Sequence, residues 1–304
     1  MTLRAEQLAA LMAIVDLGTF EAAARQLSVT PSAISQRIRA LESNVGQLVL
    51  VRATPCRVTS AGAVLLRMAR QYQLLETEAL SELADAQAPT LALSVAVNAD
   101  SLATWFRPVV AASADWHDVT LQLRLEDEDI SSELLQAGQV VGAVTADPIA
   151  VAGCSIESLG QMRYLPVAAP RFVRAWRQAP GLPWASMPVI RFNAKDDMQQ
   201  QVLDAHHVTE TPPTSMIPSA EGYLAAVEAG LGWGLVPEAQ LGEALTTRRL
   251  IRLNDHDKID VPLYWQNWRI RSDRIERLTK TIKAEAARAL RQKSSAPRSP
   301  GRPR

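Results

Sequence analysis

The stretch that most restricts what this chain can become is "VTPSAISQRIRALE", residues 29 to 42. Thr30 before Pro31 is a strong helix start, because threonine can cap and proline at the first helical position gives up no hydrogen bond the helix needs. Ile34, Ile38, Leu41 and Val45 then recur at helical spacing, which predicts a helix from about Pro31 to Asn44 and settles which side meets a core. Ser32, Ser35, Gln36 and Arg39 are thereby turned outward.

Two shorter helices are expected ahead of it. Leu8, Leu11, Met12 and Val15 share one helical face, and Gly18 supplies a stop. Thr19 can cap "FEAAARQL", whose Ala22, Ala23 and Ala24 allow close approach by another helix, and Ser28 with Val29 turns the chain. Two helices, a short turn and a third helix with a small, polar exposed face make a helix-turn-helix, whose third helix enters the major groove of double-stranded DNA. Small side chains at its start let the backbone approach base edges. Gln36 can pair with adenine at two points, while serine hydroxyls and the guanidinium groups of Arg37 and Arg39 can hold phosphates. "LVLV" (48–51) and "RVT" (57–59) read as a hairpin that carries Arg52 and Arg57 on a wing. The candidate DNA contacts are thus Thr30, Pro31, Ser32, Ser35, Gln36, Arg37, Arg39, Arg52 and Arg57. An amphipathic helix in some other small bundle would share the spacing but not the wing.

Charge supports this only when read by region. The chain has 32 basic and 32 acidic residues, yet residues 1–70 hold eight arginines against four acids, a local +4. From Ser60 to Gln87 there is no proline, and Leu65, Met68, Tyr72, Leu75, Ala79 and Leu83 fall at the spacing of a coiled-coil seam. Such a helix cannot bury its seam alone. Pairing with the same helix of a second subunit would present two recognition helices to a two-fold DNA site; packing on its own third domain is the other possibility.

A length of 304 residues implies two or three units. No run of about 18 uncharged apolar residues could span a bilayer, and no secretory signal opens the chain, so a cytoplasmic protein without membrane contact is expected. Cys56 and Cys154 suit neither a disulfide framework nor a metal site, and no metal or cofactor is expected. The end of the chain, "RQKSSAPRSPGRPR", reads as a disordered basic tail.

After Pro89 the pattern alternates. "LALSVAVN" reads as a strand, "ADSLATWFRPVVAA" as a helix, "VTLQLRLED" as a strand, "ISSELLQAG" as a helix and "QVVGAVT" as a strand. "RYLPVAAP", "PVIRF", "TSMIP", "LGWGLVP" and "VPLYWQNW" follow as strands, with helices at "DDMQQQVLDAHH", "SAEGYLAAVEAG" and "RIERLTKTIKAEAARAL". This alternation implies parallel sheets covered by helices. Ligands in such folds lie beyond the carboxyl ends of strands. There stand Asn98, Asp100 and Ser101, then Glu126 and Asp127, Thr145 and Asp147, Asn193 and Asp197, and Ser219 and Glu221. A helix start at Ser101 suits a carboxylate, and the surrounding acids suit an ammonium or guanidinium group. Together they describe a zwitterion with an extra positive charge, such as lysine or arginine. Alternatively, the acids from Glu126 to Asp129 form a solvated turn.

"GTFEAAARQLSVTPSAISQRIRALE", "LVLVR" and "VTSAGAVLL" resemble the LysR-type transcriptional regulators, and the resemblance extends over the whole chain. Within that family, "VNADSLATW", "EDED", "VVGAVT", "RYLPVA", "AGLGWGLVPE" and "LYWQ" look like the LysG and ArgP branch. The resemblance implies an α/β protein with four parts: a winged helix-turn-helix (1–59), a linker and dimerisation helix (60–88), an effector domain (91–293) and the tail (294–304). The effector domain would resemble a periplasmic binding protein, with lobe I formed by 91–164 plus 266–293 and lobe II by 165–265. Ser32 stands where many relatives have proline, and Pro31 where many have glutamine. The resemblance also implies a homodimer or homotetramer that engages RNA polymerase and activates a lysine or arginine exporter gene. Its effector would sit between the lobes, with Asn98 and Ser101 on the amino-acid backbone and Asp127 or Asp147 on the side chain. Asp197 and Glu221 would close from the other lobe, with Glu126, Thr145 and Asn193 completing the set. A different effector and pathway, or an effector-independent nucleoid-type protein, are the other readings. An enzyme is not expected: no nucleophile-elbow pattern surrounds Ser101, and no histidine follows a convincing strand end.

Overall fold

Helix α1 (Ala5–Leu17) stops where Gly18 takes a left-handed conformation and returns its N–H to the Ile14 carbonyl. Helix α2 (Phe20–Gln26) starts from Thr19, whose hydroxyl accepts the Ala22 N–H at 3.2 Å. Helix α3 (Pro31–Val45) starts the same way from Thr30, with Ala33 N–H donating at 3.2 Å, and ends at a left-handed Gly46. The computed structural model describes residues 3–83, 90–126, 128–177 and 181–292. In it Ile34, Ile38 and Leu41 are buried against Leu11, Ile14, Ala23 and Ala24, so the stripe read from the sequence is the core face of the bundle. On α1 the core is made by Leu8, Ala10, Leu11, Ala13 and Ile14, whereas Met12 and Val15 are only partly buried. The wing is the antiparallel pair β1 (Leu50–Val51) and β2 (Arg57–Val58).

Helix α4 (Ser60–Leu83) carries two stripes rather than one. Leu65, Leu66, Ala69 and Leu74 are buried, the first two in the bundle's own core. Val64, Met68, Tyr72, Leu75 and Leu83 are exposed and form the unpartnered face. Leu65 therefore leaves the seam expected for it and Val64 takes its place, because two apolar stripes overlap over the first turns. Residues 84–88 of the expected linker and the tail from 294 lie outside the described residues.

Strand β3 (Leu91–Val97) leads to α5 (Ala99–Ala103) and α6 (Arg107–Ala112), then a 3-10 turn at Ser113–Asp115. One continuous helix was expected over 99–112. It breaks because Pro108 cannot donate to a preceding turn and the Thr104 hydroxyl takes the Asp100 carbonyl at 2.6 Å. Strand β4 (Val119–Leu125), helix α7 (Glu128–Gln136) and strand β5 (Gly142–Thr145) follow. Strand β6 (Cys154–Ala168) is long, and α8 (Pro170–Trp176), β7 (Val189–Arg191), α9 (Met198–Ala205) and β8 (Thr214–Met216) come next. The chain ends with α10 (Ala220–Glu228), β9 (Gly234–Pro237), α11 (Glu238–Thr246), β10 (Ile251–Arg252), β11 (Ile259–Trp268) and α12 (Asp273–Ala289). Helices α8 and α11 and strand β10 have no counterpart in the sequence reading.

These elements group into two units, one of residues within 1–97, 113–156 and 266–278, the other within 98–112, 157–265 and 279–304. In the first, β3 pairs in parallel with β4 and with β5, from Leu91 opposite Val119 to Val97 opposite Leu125. In the second, β7 and β8 are parallel, but β6 runs antiparallel to both β9 and β10. The all-parallel expectation fails at β6, whose antiparallel ladders to β9 and β10 join strands far apart in sequence, a pairing that no local pattern encodes. The second unit has its own core: Leu165, Val167, Ile190, Tyr223, Val236 and Leu250.

Helix α4 is fastened within the first unit to both neighbours of the bundle. Arg70 pairs with Asp16 of α1 and donates to the Gly138 carbonyl at 2.6 Å, while Arg67 donates to the Ala152 carbonyl at 3.1 Å. Gly138 has φ +67°, and a Cβ there would lie 2.4 Å from the Arg67 Cα.

Candidate nucleic-acid interface and effector site

On the bundle, the core fixes the outer face of α3. Thr30, Pro31, Ser32, Gln36 and Arg39 are exposed, and Ser35 and Arg37 are half-buried. Thr30 has spent its hydroxyl on the helix cap, so its part is to set the helix start. Arg37 lies 3.6 Å from Glu6, whereas Arg39, Arg52 and Arg57 have no ion pair among the described residues. Arg52 is stacked over Phe20 at 5.6 Å, which places the wing beside α2 and α3. Together Thr19, Ser32, Ser35, Arg52 and Thr54 line an open depression of about 420 Å³. Cations without carboxylate partners, next to small hydroxyl side chains at a helix start, can neutralise phosphates while the start of α3 approaches base edges.

The effector candidates divide by what their side chains already do. Thr145 is fully buried and accepts the Asp147 N–H at 3.0 Å, and Asp147 is exposed and accepts the Ile149 N–H at 2.8 Å. The buried Gln266 shapes the same loop, accepting the Val151 N–H at 2.8 Å and donating to the Ile149 carbonyl at 3.0 Å. Glu126 is half-buried in the first unit, and Asp127 lies outside the described residues.

In the second unit, Asn98 caps the five-residue α5 by accepting the Ser101 N–H at 2.8 Å. Ser101 is fully buried and accepts the Trp105 Nε1–H at 3.0 Å, so its amide is already used within the protein. Asn193 accepts the N–H groups of Lys195 and Asp196 at 2.8 and 3.1 Å. Asp197 is exposed and makes no cap bond, and Glu221 is exposed with Arg107 at 3.8 Å.

Asp100, named at a strand end but given no role there, and residues that sequence reading passed over are more constrained. The Asp100 carboxylate accepts the Tyr164 hydroxyl at 2.9 Å. Burial, with Asp196 adding like charge, pushes its pKa up to about 6 although Tyr164 favours the ionised form. Asp196, not Asp197, structures the start of α9, accepting the Phe192 N–H at 2.8 Å and the Gln199 amide at 2.9 Å. Gln199 also donates to Tyr223 Oη at 3.2 Å, and Tyr223 donates to the Ile190 carbonyl at 2.9 Å. Burial drives the Tyr223 hydroxyl well above its usual pKa. The spacing of Asn193, Asp196 and Gln199 is that of a side-chain-closed turn before a helix, a signal that could have selected Asp196 over its neighbour.

The fold and these two sites define a class: a helix-turn-helix DNA-binding domain joined by a linker helix to a small-molecule-binding α/β domain. Residues 5–63 match the bacterial regulatory helix-turn-helix protein family, lysR family, and residues 86–287 match the LysR substrate binding domain. Among curated relatives, the lysine export transcriptional regulatory protein LysG of Corynebacterium glutamicum is 44% identical over 289 residues, covering 94% of this chain and 98% of that protein. A crystal structure of ArgP from Mycobacterium tuberculosis is similar with a TM-score of 0.86 at 45% identity, covering 94% of this chain and 98% of that one. Full-length LysG from Corynebacterium glutamicum with bound effector Arg is similar with a TM-score of 0.81 at 43% identity, covering 95% and 99%. The chain belongs to the LysR family of bacterial transcriptional regulators. Among the described residues no single helix is long and apolar enough to cross a membrane.

Proposed function

We propose that this protein is a transcriptional activator that binds lysine or arginine and, in response, switches on a gene for export of that amino acid. The observation that carries this is similarity along 94% of the chain to a lysine export regulator. The protein works in the cytoplasm as a regulator without catalytic activity. In it residues 1–59 read DNA, 60–88 pair two copies, 91–293 bind the effector and 294–304 form a basic tail. The exposed face of Val64, Met68, Tyr72 and Leu75 supports pairing with a second copy. Ser32, Ser35 and Gln36 approach base edges, Arg37, Arg39, Arg52 and Arg57 hold phosphates, and Thr30 with Pro31 sets the helix start. Asn98, Ser101, Glu126, Asp127, Thr145, Asp147, Asn193, Asp197 and Glu221 surround the effector.

Effector binding changes DNA bending so that RNA polymerase is engaged, and it can do so only by favouring one conformation, typically by about 1–3 kcal/mol. The test is calorimetric titration of the full chain with L-lysine, L-arginine, L-histidine, L-leucine and L-glutamate, followed by footprinting on selected genomic DNA with and without the binder. Saturable binding confined to basic amino acids, with an altered footprint, is expected. Preference for glutamate or leucine, or a footprint indifferent to effector and DNA sequence, would refute the reading.

A further inference from the structure

Strand β3 is covered along its whole length on one edge and only in part on the other. It pairs with β4 from Leu91 to Val97 but meets β5 only at Val95 and Ala96, opposite Gly142 and Ala143. Between the first half of β3 and the residues leading into β5, a cavity of about 600 Å³ opens. Asp16 of α1, Arg70 and Gln73 of α4, and Gln122 and Arg124 of β4 line it, and every lining residue belongs to the first unit. Leu74, Leu93, Val140 and Trp268, all buried, give it an apolar side. Small-molecule sites typically enclose about 300–1,000 Å³, whereas one water takes about 30 Å³, so the space suits an organic ligand.

The polar groups of the lining are unevenly used. Arg70 is engaged with Asp16 and with the Gly138 carbonyl. Arg124 is exposed, donates to Gln139 Oε1 at 3.0 Å and has no carboxylate partner among the described residues. Two guanidinium groups against the single acid Asp16 give the lining a net charge of +1. Burial lowers the Arg70 pKa, Asp16 raises it, and the like charge of Arg124 lowers it again, so the two cations sense each other. The amides are spent on their oxygen side: Gln139 accepts from Arg124, which can only donate, and Gln122 accepts from the Ser94 hydroxyl at 3.1 Å. Their Nε2 groups, and the side-chain amide of Gln73, have no partner among the described residues. Held in reserve, then, are one cation and several N–H donors beside an apolar wall. Such a set complements a carboxylate on a short hydrocarbon. A cationic ligand would be repelled by Arg70 and Arg124, and a neutral one would gain nothing from the guanidinium.

We infer that this cavity is a second ligand site that takes a small organic carboxylate, with Arg124 as its counter-charge and the amides of Gln73, Gln122 and Gln139 as further donors. It shares no residue with the effector candidates and does not depend on the reading of the protein as a basic amino acid sensor. Because α1 and α4 wall it on one side and the sheet on the other, its ligand fastens the linker helix to the sheet.

The test is calorimetric titration of the full chain with isovalerate, succinate and phenylacetate, each beside its uncharged amide, and with inorganic sulfate. At least one carboxylate is expected to bind saturably, with its amide at least tenfold weaker, the smallest loss expected for one charge-assisted hydrogen bond. R124Q removes the counter-charge, and Q73E sets a like charge on α4 facing the ligand. Both positions are exposed and hold no ion pair among the described residues, so the variants leave the fold intact, which equal melting temperatures check. Each should lose at least tenfold in affinity for the carboxylate that binds. In wild type, that carboxylate should also slow amide hydrogen exchange in residues 70–74 of α4. Failure of all three carboxylates to bind at about 10 mM overturns the assignment. So does equal affinity for carboxylate and amide, or for sulfate, which marks general anion binding. Binding that both variants leave unchanged, or that leaves exchange in α4 unchanged, places the ligand elsewhere and overturns it too.

Discussion

Replacing Asp100 by asparagine should stabilise the protein in the absence of effector, and the size of the effect follows from the site. Burial lifts the Asp100 carboxyl from 3.8 to about 6, opposed by the Tyr164 hydroxyl and aided by the charge of Asp196. A rise of about two, at about 1.36 kcal/mol each, means that the ionised carboxylate destabilises the folded state by about 3 kcal/mol at neutral pH. Because the folded-state value is raised, the folded protein binds the proton more tightly than the unfolded chain. Stability therefore falls as pH climbs from about 4 through about 6, and the penalty is absent below both values. Asparagine titrates nowhere in this window and can still accept from Tyr164. D100N should exceed wild type by about 3 kcal/mol at pH 7.5, by about half that at pH 5, and by nothing near pH 3. Urea unfolding of both proteins at several pH values, without amino acids present, measures the difference. Equal stabilities at pH 7.5, or a gap that does not shrink on acidification, would refute the argument. Selection for binding can retain such a cost, since functional groups are often held in places that weaken the fold.

Other consequences can be measured separately. Gly138→Ala forces a side chain into a left-handed conformation and places its Cβ 2.4 Å from the Arg67 Cα, so calorimetric melting should show a loss of about 2–4 kcal/mol; a loss under about 0.5 kcal/mol would mean that α4 is not fastened there. Ile38→Ala empties a fully buried position of the bundle and should destabilise it by about 2–5 kcal/mol, with operator binding lost at lower temperature than in wild type. Gln36→Ala should relax base preference at one operator position by about 1–3 kcal/mol in a randomised-site selection, and equal losses on every sequence would show that Gln36 reads no base. Arg39→Ala should lower the slope of log affinity against log salt by about 0.9, and an unchanged slope would remove it from the phosphate contacts.

The amino-acid sequence by itself determined the three helices and the wing of the N-terminal bundle to within a few residues. Its signals are local: Thr19 and Thr30 close their own helix starts three residues on, Gly18 and Gly46 end helices by conformation, and Ile34, Ile38 and Leu41 lie on one stripe whatever they pack against. Such features depend on neighbours within about a turn, so sequence spacing is nearly spatial distance. Most strands and helices after residue 90 were legible as elements for the same reason, α8, α11 and β10 excepted. Their partners were not. That β6 runs against β9 and β10, that Leu65 turns into the bundle while Val64 faces outward, and that Thr104 with Pro108 breaks a helix were decided by long-range pairing and by overlap of competing patterns. The same holds for the acids of the α/β part. The carboxylates of Asp100, Asp147, Asp196 and Asp197 are chemically alike in one dimension; the tertiary structure alone buries Asp100 against Tyr164, gives Asp196 to the α9 turn, and leaves Asp147 and Asp197 in solvent. Desolvation and the sum of nearby charges depend on every element packed around a group, and no short window of sequence contains them.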